Sequence, residues 1–206
     1  MVRVKICGIT TAADARAALD LGANAVGLVF AESPRQVIIA EAAKVSKAVG
    51  PWISVVGVFV DEAPSRILKI ARECGLSAAQ LHGHEPAADM AGLKGLKVIK
   101  AFHVDADYRA GILKSYAGAD AFLFDSKIAG QFGGTGRTFD WNLLKKSSAG
   151  KPVIVSGGLH PGNAAKAVRF FKPYGVDVSS GVEKSPGKKD LKLMKEFIRN
   201  AKKIEY

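Results

Sequence analysis

The chain has 206 residues, of which 48% are hydrophobic and 8% aromatic, and its formal net charge is +11. That length allows one well-buried domain, so we expect a single domain over residues 1–206. No apolar stretch is long enough to cross a membrane, and the chain starts directly in a strand-like run rather than in a signal region. These features exclude a membrane protein and predict a cytoplasmic one.

The positive charge raises the question of a nucleic-acid partner. Much of the excess falls in and just before the last predicted helix, where Lys188, Lys189, Lys192 and Lys195 are expected to form a solvated outer face. Basic and aromatic residues do not interleave, and no nucleic-acid-binding fold pattern is visible, so we expect no nucleic-acid partner. The charge could instead attract a multiply anionic small substrate.

Taken in chain order, the hydrophobic pattern alternates between period two and period 3.6. Strands are predicted at Val2–Cys7, Ala25–Phe30, Ser54–Val60, Ala78–Leu81, Val98–Phe102, Ala121–Asp125, Val153–Val155 and Val176–Ser179. Helices are predicted at Ala12–Leu21, Ala40–Val49, Pro64–Cys74, Pro86–Gly92, Asp107–Tyr116, Asp140–Lys146, Pro161–Phe171 and Leu191–Lys202. Eight strand–helix repeats predict a single (β/α)8 TIM barrel, with an open doubly wound sheet of eight strands as the alternative.

The first strand places a thiol at its carboxyl end. Alternation puts Arg3, Lys5 and Cys7 on the face opposite the apolar one, and Gly8 ends the run. In a parallel barrel, functional side chains gather after the carboxyl ends of the strands, so Cys7 is a candidate base or nucleophile whose pKa Lys5 could lower. Cys74, at the end of an amphipathic helix, is predicted to be a buried structural thiol, and neither a disulfide nor a metal site is expected.

Further polar residues follow other strands. Asp125 ends a run that is apolar on both faces, and it is a candidate proton donor or a cap for the following loop. Arg35 follows Ser33-Pro34 and could either bind a carboxylate or form a surface ion pair. Gln80 with His82, and Asp177, are each as consistent with interior hydrogen bonding as with ligand contact. No role is assigned to His84, His103 or His160.

Two glycine-containing loops follow strands seven and eight, around Gly157-Gly158 and Ser180-Gly181. Backbone amides can approach an anion closely there, so the two loops predict a phosphate-binding site, with room for a short extra turn at Ser185–Lys188. The loop Gly130–Trp141 is typical of a lid, because its glycines supply hinges. Its spacing fits neither a P-loop nor a dinucleotide fingerprint.

The combined motifs resemble the phosphoribosylanthranilate isomerases of tryptophan biosynthesis over essentially the whole chain. They are Lys5-Ile6-Cys7-Gly8-Ile9-Thr10, Ser33-Pro34-Arg35, Val56-Gly57-Val58-Phe59, Gln80-Leu81-His82-Gly83, Leu123-Phe124-Asp125, Gly133-Gly134-Thr135-Gly136 and Gly175-Val176-Asp177-Val178-Ser179-Ser180-Gly181-Val182-Glu183. Ser156 and His84 depart from the family pattern, where an alanine and an acidic residue are usual.

This resemblance implies an Amadori rearrangement of N-(5-phosphoribosyl)anthranilate without metal or cofactor. It implies Asp125 as the acid, Cys7 as the base and Arg35 on the anthranilate carboxylate. Gln80, His82 and Asp177 would line the sugar site, and amides around Gly157, Gly158, Ser180 and Gly181 would hold the phosphate. The partner would be a phosphorylated small molecule, and the sequence leaves a homodimer open.

Two other interpretations remain. Another phosphosugar barrel, such as an epimerase or an aminoaldose isomerase of histidine biosynthesis, would usually place two carboxylates or a metal at the strand ends. A non-catalytic module that binds phosphate ligands or nucleic acid belongs to a different class. Turnover of phosphoribosylanthranilate would exclude it, whereas steeply salt-dependent binding to duplex DNA would favour it.

Overall fold

A computed structural model describes residues 1–104, 108–125 and 150–204. Within these ranges, eight parallel strands close into a barrel in chain order. They are β1 (Arg3–Cys7), β2 (Ala25–Val29), β3 (Ser54–Phe59), β4 (Ala78–Leu81), β5 (Lys97–His103), β6 (Ala121–Asp125), β7 (Val153–Ser156) and β8 (Gly175–Val178). Pairing of β1 with β8, from Arg3↔Gly175 to Ile6↔Val178, closes the ring. The predicted barrel is confirmed, and the open sheet is excluded.

The α-helices of the described residues surround this ring. They are α1 (Ala12–Asp20), α2 (Ile39–Val49), α3 (Pro64–Cys74), α4 (Pro161–Phe171) and α5 (Leu191–Lys202). Local chemistry explains their starts: the Thr11 side chain accepts a hydrogen bond from Asp14 N, and Asp190 caps α5 through Lys192 N and Leu193 N. The predicted helix at Asp140–Lys146 and the predicted lid at Gly130–Trp141 lie outside the described residues.

Two of the predicted helices form as 3-10 helices rather than as α-helices. The segments after β4 and β5 form 3-10 helices at Ala87–Gly92 and Ala110–Tyr116. Neither has a side-chain cap, and each is only about two turns long, so neither recovers the cost of starting an α-helix. None of the helices that the structure describes combines the length and apolarity needed to cross a bilayer.

The strands separate an outer core from the barrel interior. Val4 and Ile6 of β1 join the outer core beneath the helices, as does the predicted structural thiol Cys74, which is 2% exposed. Lys5 and Cys7 face the interior and are also buried. A smaller interior cluster of Ala101, Ala121, Leu123 and Ile154 fills part of the barrel between its two ends.

A hairpin follows β8 in place of the predicted extra turn at Ser185–Lys188. Its strands are β9 (Glu183–Ser185) and β10 (Lys188–Lys189), and the helical turn lies earlier, at Ser180–Val182. Gly187, with φ +78°, provides the left-handed residue at the hairpin's tip. The hairpin folds back toward β1, since the Thr10 hydroxyl donates to the Gly187 carbonyl over 2.6 Å.

Candidate active site

Cys7 is the last residue of β1 and is 8% exposed, as its position in the sequence predicts. Its neighbour on the same face, Lys5, forms an ion pair with Asp177 of β8, with 3.0 Å between Nζ and Oδ1. Gly27 of β2 leaves the space that these side chains need. A Cβ there would lie 2.8 Å from Cys7 Sγ and 3.0 Å from Lys5 Nζ.

The electrostatics of the thiol combine opposing effects. Burial raises the pKa of Cys7 above its ordinary value, and the adjacent Lys5 ammonium acts in the opposite direction. The Asp177 carboxylate adds to the rise. Lys5 therefore lowers the thiol's pKa as the sequence suggests, but the net direction is upward.

Arg35 reaches the same region from the loop after β2. It forms a two-pronged ion pair with Glu183, in which Nε lies 2.9 Å from Oε1 and Nη2 lies 2.7 Å from Oε2. Its aliphatic stem lies beside Gly8, next to Cys7. The sequence analysis left two roles open for Arg35, binding of a ligand carboxylate or a surface ion pair. The observed pair is only partly exposed, with side-chain exposures of 22% for Arg35 and 4% for Glu183.

Lys189 corrects one sequence expectation. It was predicted to lie on a solvated outer face, yet it is 6% exposed. Its Nζ lies 2.7 Å from Glu183 Oε1 and also donates to the Ser179 carbonyl. Lys189 lies on the β9–β10 hairpin, which turns its side chain inward. The helical pattern of the sequence could not predict this orientation, because Lys189 is not part of a helix. Burial lowers the pKa of Lys189, while its hydrogen bond to Glu183 opposes that change.

A second polar group lies at the carboxyl ends of β4, β5 and β6. Gln80 and His82 share one face, as alternation predicts, with 2.7 Å between Gln80 Nε2 and His82 Nδ1. The other ring nitrogen of His82, Nε2, lies 3.3 Å from Asp125 Oδ2. Gln80 is 1% exposed, and its Oε1 has no partner among the described residues.

His103 is a site residue that the sequence analysis left without a role. Its ring centroid lies 5.3 Å from that of His82. Ligand atoms of His82, His103 and Asp125 all lie within 4.8 Å of one another, an arrangement that could hold a metal ion. Asp125 ends an apolar strand as predicted, but imidazole rings adjoin its carboxyl group. The sequence does place His103 at the end of a strand, directly before a loop, where functional residues of a barrel gather. It does not show that His103 is the register partner of Asp125 on the neighbouring strand.

The loops after β7 and β8 are packed against each other. A Cβ on Gly181 would collide with the Leu159 carbonyl oxygen, so the close approach of the two loops requires glycine there. Gly157 and Gly158 adopt φ values of +90° and +58°. Within the part of the chain that the structure describes, the amides of Gly157 and Gly158 donate to no backbone carbonyl outside the regular elements.

Asp177 lies deeper in the barrel interior than a residue that lines the sugar site is expected to lie. It is 4% exposed, binds Lys5 through Oδ1, and has Ser156 Oγ 3.4 Å from its Oδ2. His160 has a local structural role, because its Nδ1 accepts from Gly162 N at the start of α4. The backbone N–H of His84, in the loop after β4, donates a hydrogen bond to Asp61 Oδ1.

Sequence comparisons point to one family. The family model described as N-(5'phosphoribosyl)anthranilate (PRA) isomerase matches residues 4–200. A curated relative from Pelobacter propionicus, named N-(5'-phosphoribosyl)anthranilate isomerase, is 46% identical over 203 residues. The matched region covers 98% of this chain and 96% of the relative.

Solved structures give the same result. A phosphoribosyl anthranilate isomerase in complex with reduced 1-(o-carboxyphenylamino)-1-deoxyribulose 5-phosphate has a TM-score of 0.87 and 39% identity, covering 99% of this chain and all of the other. A structure of monomers of the dimeric enzyme from Thermotoga maritima has a TM-score of 0.84 and 38% identity, with the same coverage.

Proposed function

The chain belongs to the N-(5'-phosphoribosyl)anthranilate isomerase family, and we propose that Cys7 is the general base and Asp125 the general acid of its reaction. The reaction is the Amadori rearrangement of N-(5'-phosphoribosyl)anthranilate to 1-(2-carboxyphenylamino)-1-deoxyribulose 5-phosphate, a step of tryptophan biosynthesis. The assignment of the two residues rests on their positions at the barrel mouth.

Asp125 and Cys7 end β6 and β1, and β7 and β8 lie between these strands in the closed ring. The glycine loops that follow β7 and β8 therefore lie between the proposed acid and the proposed base. A pentose phosphate held there by its phosphate would have one group on either side of its sugar. This arrangement is the observation that carries the proposal.

The proton transfers balance as follows. Asp125 protonates the ribose ring oxygen, the bond from that oxygen to C1 breaks, and the nitrogen lone pair forms the C1=N bond of a Schiff base. The Cys7 thiolate then removes the C2 proton. The electron pair released at C2 forms the C1=C2 bond of an enolamine, and the iminium nitrogen becomes neutral. The enolamine then tautomerises to the ketone by losing the O2 proton and gaining one at C1.

The remaining polar groups would bind the substrate. Arg35 would hold the anthranilate carboxylate, since a guanidinium retains free N–H donors after binding one carboxylate. Gln80, with its unpartnered Oε1, His82 and Asp177 would line the sugar site. The amides of the two glycine loops would hold the phosphate, assisted by the start of the turn at Ser180–Val182.

Turnover by single variants tests the acid and base. Cys7→Ala and Asp125→Ala should each reduce kcat by about 10²–10⁴-fold, the usual contribution of a positioned proton-transfer group. The assay follows the loss of phosphoribosylanthranilate fluorescence. Cys74→Ala is the matched control, because it removes a buried thiol from the outer core, and it should retain turnover.

A near-normal kcat in the Cys7 or Asp125 variant, with the fold intact by circular dichroism, would remove that residue from its role. Turnover of a related aminoaldose phosphate at a comparable rate would favour the broader aminoaldose-isomerase interpretation.

We also propose that two copies of the chain associate through the amino ends of their barrels, since the Thermotoga maritima relative is described as dimeric. A cavity of about 460 Å³ opens at that end, lined by residues that include Arg3, Ser54, Lys97 and Tyr174. Trp52, just before β3, is 87% exposed. An exposed apolar side chain two residues before Ser54, which lines the cavity, suits a second copy as partner. A cytoplasmic location is supported by the thiol state that Cys7 needs as a base.

A further inference from the structure

Lys5 has an unusual position for a lysine. It is 4% exposed inside the barrel, and its ammonium group pairs with Asp177, which is equally buried. Removing two charges from water is costly, and such pairs are often no more stabilising than apolar residues of similar size. Stability alone therefore does not account for an ion pair at this position, directly beneath the proposed base.

The thiol and the ammonium group meet above Gly27. A Cβ built at Gly27 comes within 3.0 Å of both Cys7 Sγ and Lys5 Nζ. The two atoms therefore lie on either side of the space that a side chain at position 27 would fill. The Lys5 Nζ is thus close to the Cys7 sulfur while it is bound to the Asp177 carboxylate.

We propose that Lys5 is the positioning residue of the base: its ammonium group, anchored by Asp177, lies beside the Cys7 sulfur inside the barrel and stabilises the thiolate electrostatically. This inference rests on the proposed function, because it concerns the group that removes the C2 proton. Lys5 itself need not touch the substrate. It acts through Cys7.

The anchor crosses the closing seam of the barrel. Lys5 and Asp177 are register partners of β1 and β8, so the ion pair spans neighbouring strands rather than a mobile loop. Asp177 Oδ2 also lies 3.4 Å from Ser156 Oγ on β7. The ammonium group is therefore anchored to β8, and through Asp177 to β7, which fixes its position inside the barrel.

Charged groups from several neighbouring elements act on Cys7. They are Lys5 on β1, Asp177 on β8, Lys189 on β10 and Arg35 after β2. Burial raises the pKa of the thiol, Lys5 and Lys189 lower it, and Asp177 raises it. Among these charges Lys5 opposes the effect of burial most, although the pKa of the thiol stays above its ordinary value.

Direct titration of the thiol tests this proposal. The absorbance of the Cys7 thiolate near 240 nm is measured against pH, using a Cys7→Ser variant as the blank so that Cys74 and the tyrosines cancel. Lys5→Met should shift the midpoint upward by roughly one pH unit, the low end of what one nearby opposite charge does. Lys5→Arg keeps a cation and should restore the midpoint toward that of the wild type.

Lys5→Met leaves the buried Asp177 carboxylate without its counter-charge, which could unfold the protein. A second variant avoids this problem. Lys5→Met combined with Asp177→Asn removes both charges, and its midpoint should still rise, since Lys5 influences the thiol more than Asp177 does. The matched control combines Lys100→Met with Glu85→Gln. This equally buried pair lies away from Cys7, and its removal should leave the midpoint unchanged.

A midpoint at or below the wild-type value in the paired Lys5 and Asp177 variant would overturn the proposal, as would an equal rise in the Lys100 control. The titration does not depend on turnover. If Cys7→Ala kept its activity, the proposed base would be wrong, while the thiolate midpoint would still decide whether Lys5 holds the sulfur in its ionised form.

Discussion

The carboxylate of Glu183 orients Arg35, the residue proposed to bind the substrate's own carboxylate. It accepts from Nε and Nη2 of Arg35, and Lys189 pairs with its Oε1. Burial would raise the pKa of Glu183, but the hydrogen bonds from Arg35 and Lys189 lower it below its ordinary value. Glu183 thus remains ionised at neutral pH and fixes one edge of the guanidinium, so the other N–H donors can meet a ligand.

Variants of this pair separate binding from chemistry. Arg35→Ala should raise KM by about 10–100-fold with little change in kcat, since hydrogen bonds to a charged group contribute about 1.5–3 kcal/mol. Glu183→Gln should raise KM less, because Arg35 keeps its charge and loses only its orientation. Steady-state kinetics on both variants provide the measurement. An unchanged KM in Arg35→Ala would exclude it from the substrate site.

Among the larger elements, the loop after β4 carries His82 and is held by one buried carboxylate. Glu85 accepts hydrogen bonds from the N–H groups of Asp61 and Gly83, and it pairs with Lys100 over 2.7 Å. Lys100 also donates to the Gly83 carbonyl. Gly83 directly follows His82, so this network fixes the end of the strand from which His82 reaches Asp125.

The same network predicts an acid-sensitive stability. Burial would raise the pKa of Glu85, but the hydrogen bonds from Lys100 and the Gly83 N–H lower it below its ordinary value of 4.5. A lowered folded pKa means that the contribution is complete above the unfolded value and is lost as pH falls through the folded one. Urea unfolding should therefore show the free energy of unfolding declining below about pH 4.5, and Glu85→Gln should weaken that decline.

Glu85→Gln should also destabilise the protein at pH 7 by about 3–5 kcal/mol, because it leaves the Lys100 ammonium buried without a counter-charge. Glu41→Gln is the control. The Glu41–Lys44 pair is exposed, and its loss should change the unfolding free energy by less than about 1 kcal/mol. An acid dependence that is identical in Glu85→Gln and in the wild type would contradict the assignment.

At the scale of the whole molecule, the two ends of the barrel have different chemistry. The carboxyl end holds the thiol, the carboxyl group and the glycine loops, whereas the amino end holds the cavity and lies close to Trp52. The proposed dimer predicts that sedimentation velocity at micromolar concentration finds a two-chain species, and that Trp52→Glu converts it to a single chain. Leu191→Ala, at the other end, removes an exposed apolar side chain and should leave the dimer intact.

A wild-type chain that sediments as a monomer would contradict this assembly. Loss of the two-chain species in both the Trp52 and the Leu191 variants would show that its interface is not confined to the amino end.

The sequence by itself predicted the barrel and much of the mouth. Alternating periodicity reports which face of a strand or helix is buried, so the strand ends at Cys7 and Asp125 and the helices Pro64–Cys74 and Pro161–Phe171 could be located from local pattern alone. Glycines also predicted two loops whose backbone amides would bind a phosphate, and that site stays a prediction. Each of these signals lies within a few neighbouring residues.

Only the tertiary structure decided which polar groups meet. Lys5 and Asp177 are 172 positions apart, and Arg35 and Glu183 are 148 apart. Periodicity also missed His103 beside His82 and the burial of Lys189. A hydrophobic pattern shows that a side chain faces inward, but it carries no information about the opposite wall. The pairing of β8 with β1 brings residues that are distant in the sequence together in the barrel interior. Buried charges there are stable only when they pair with opposite charges.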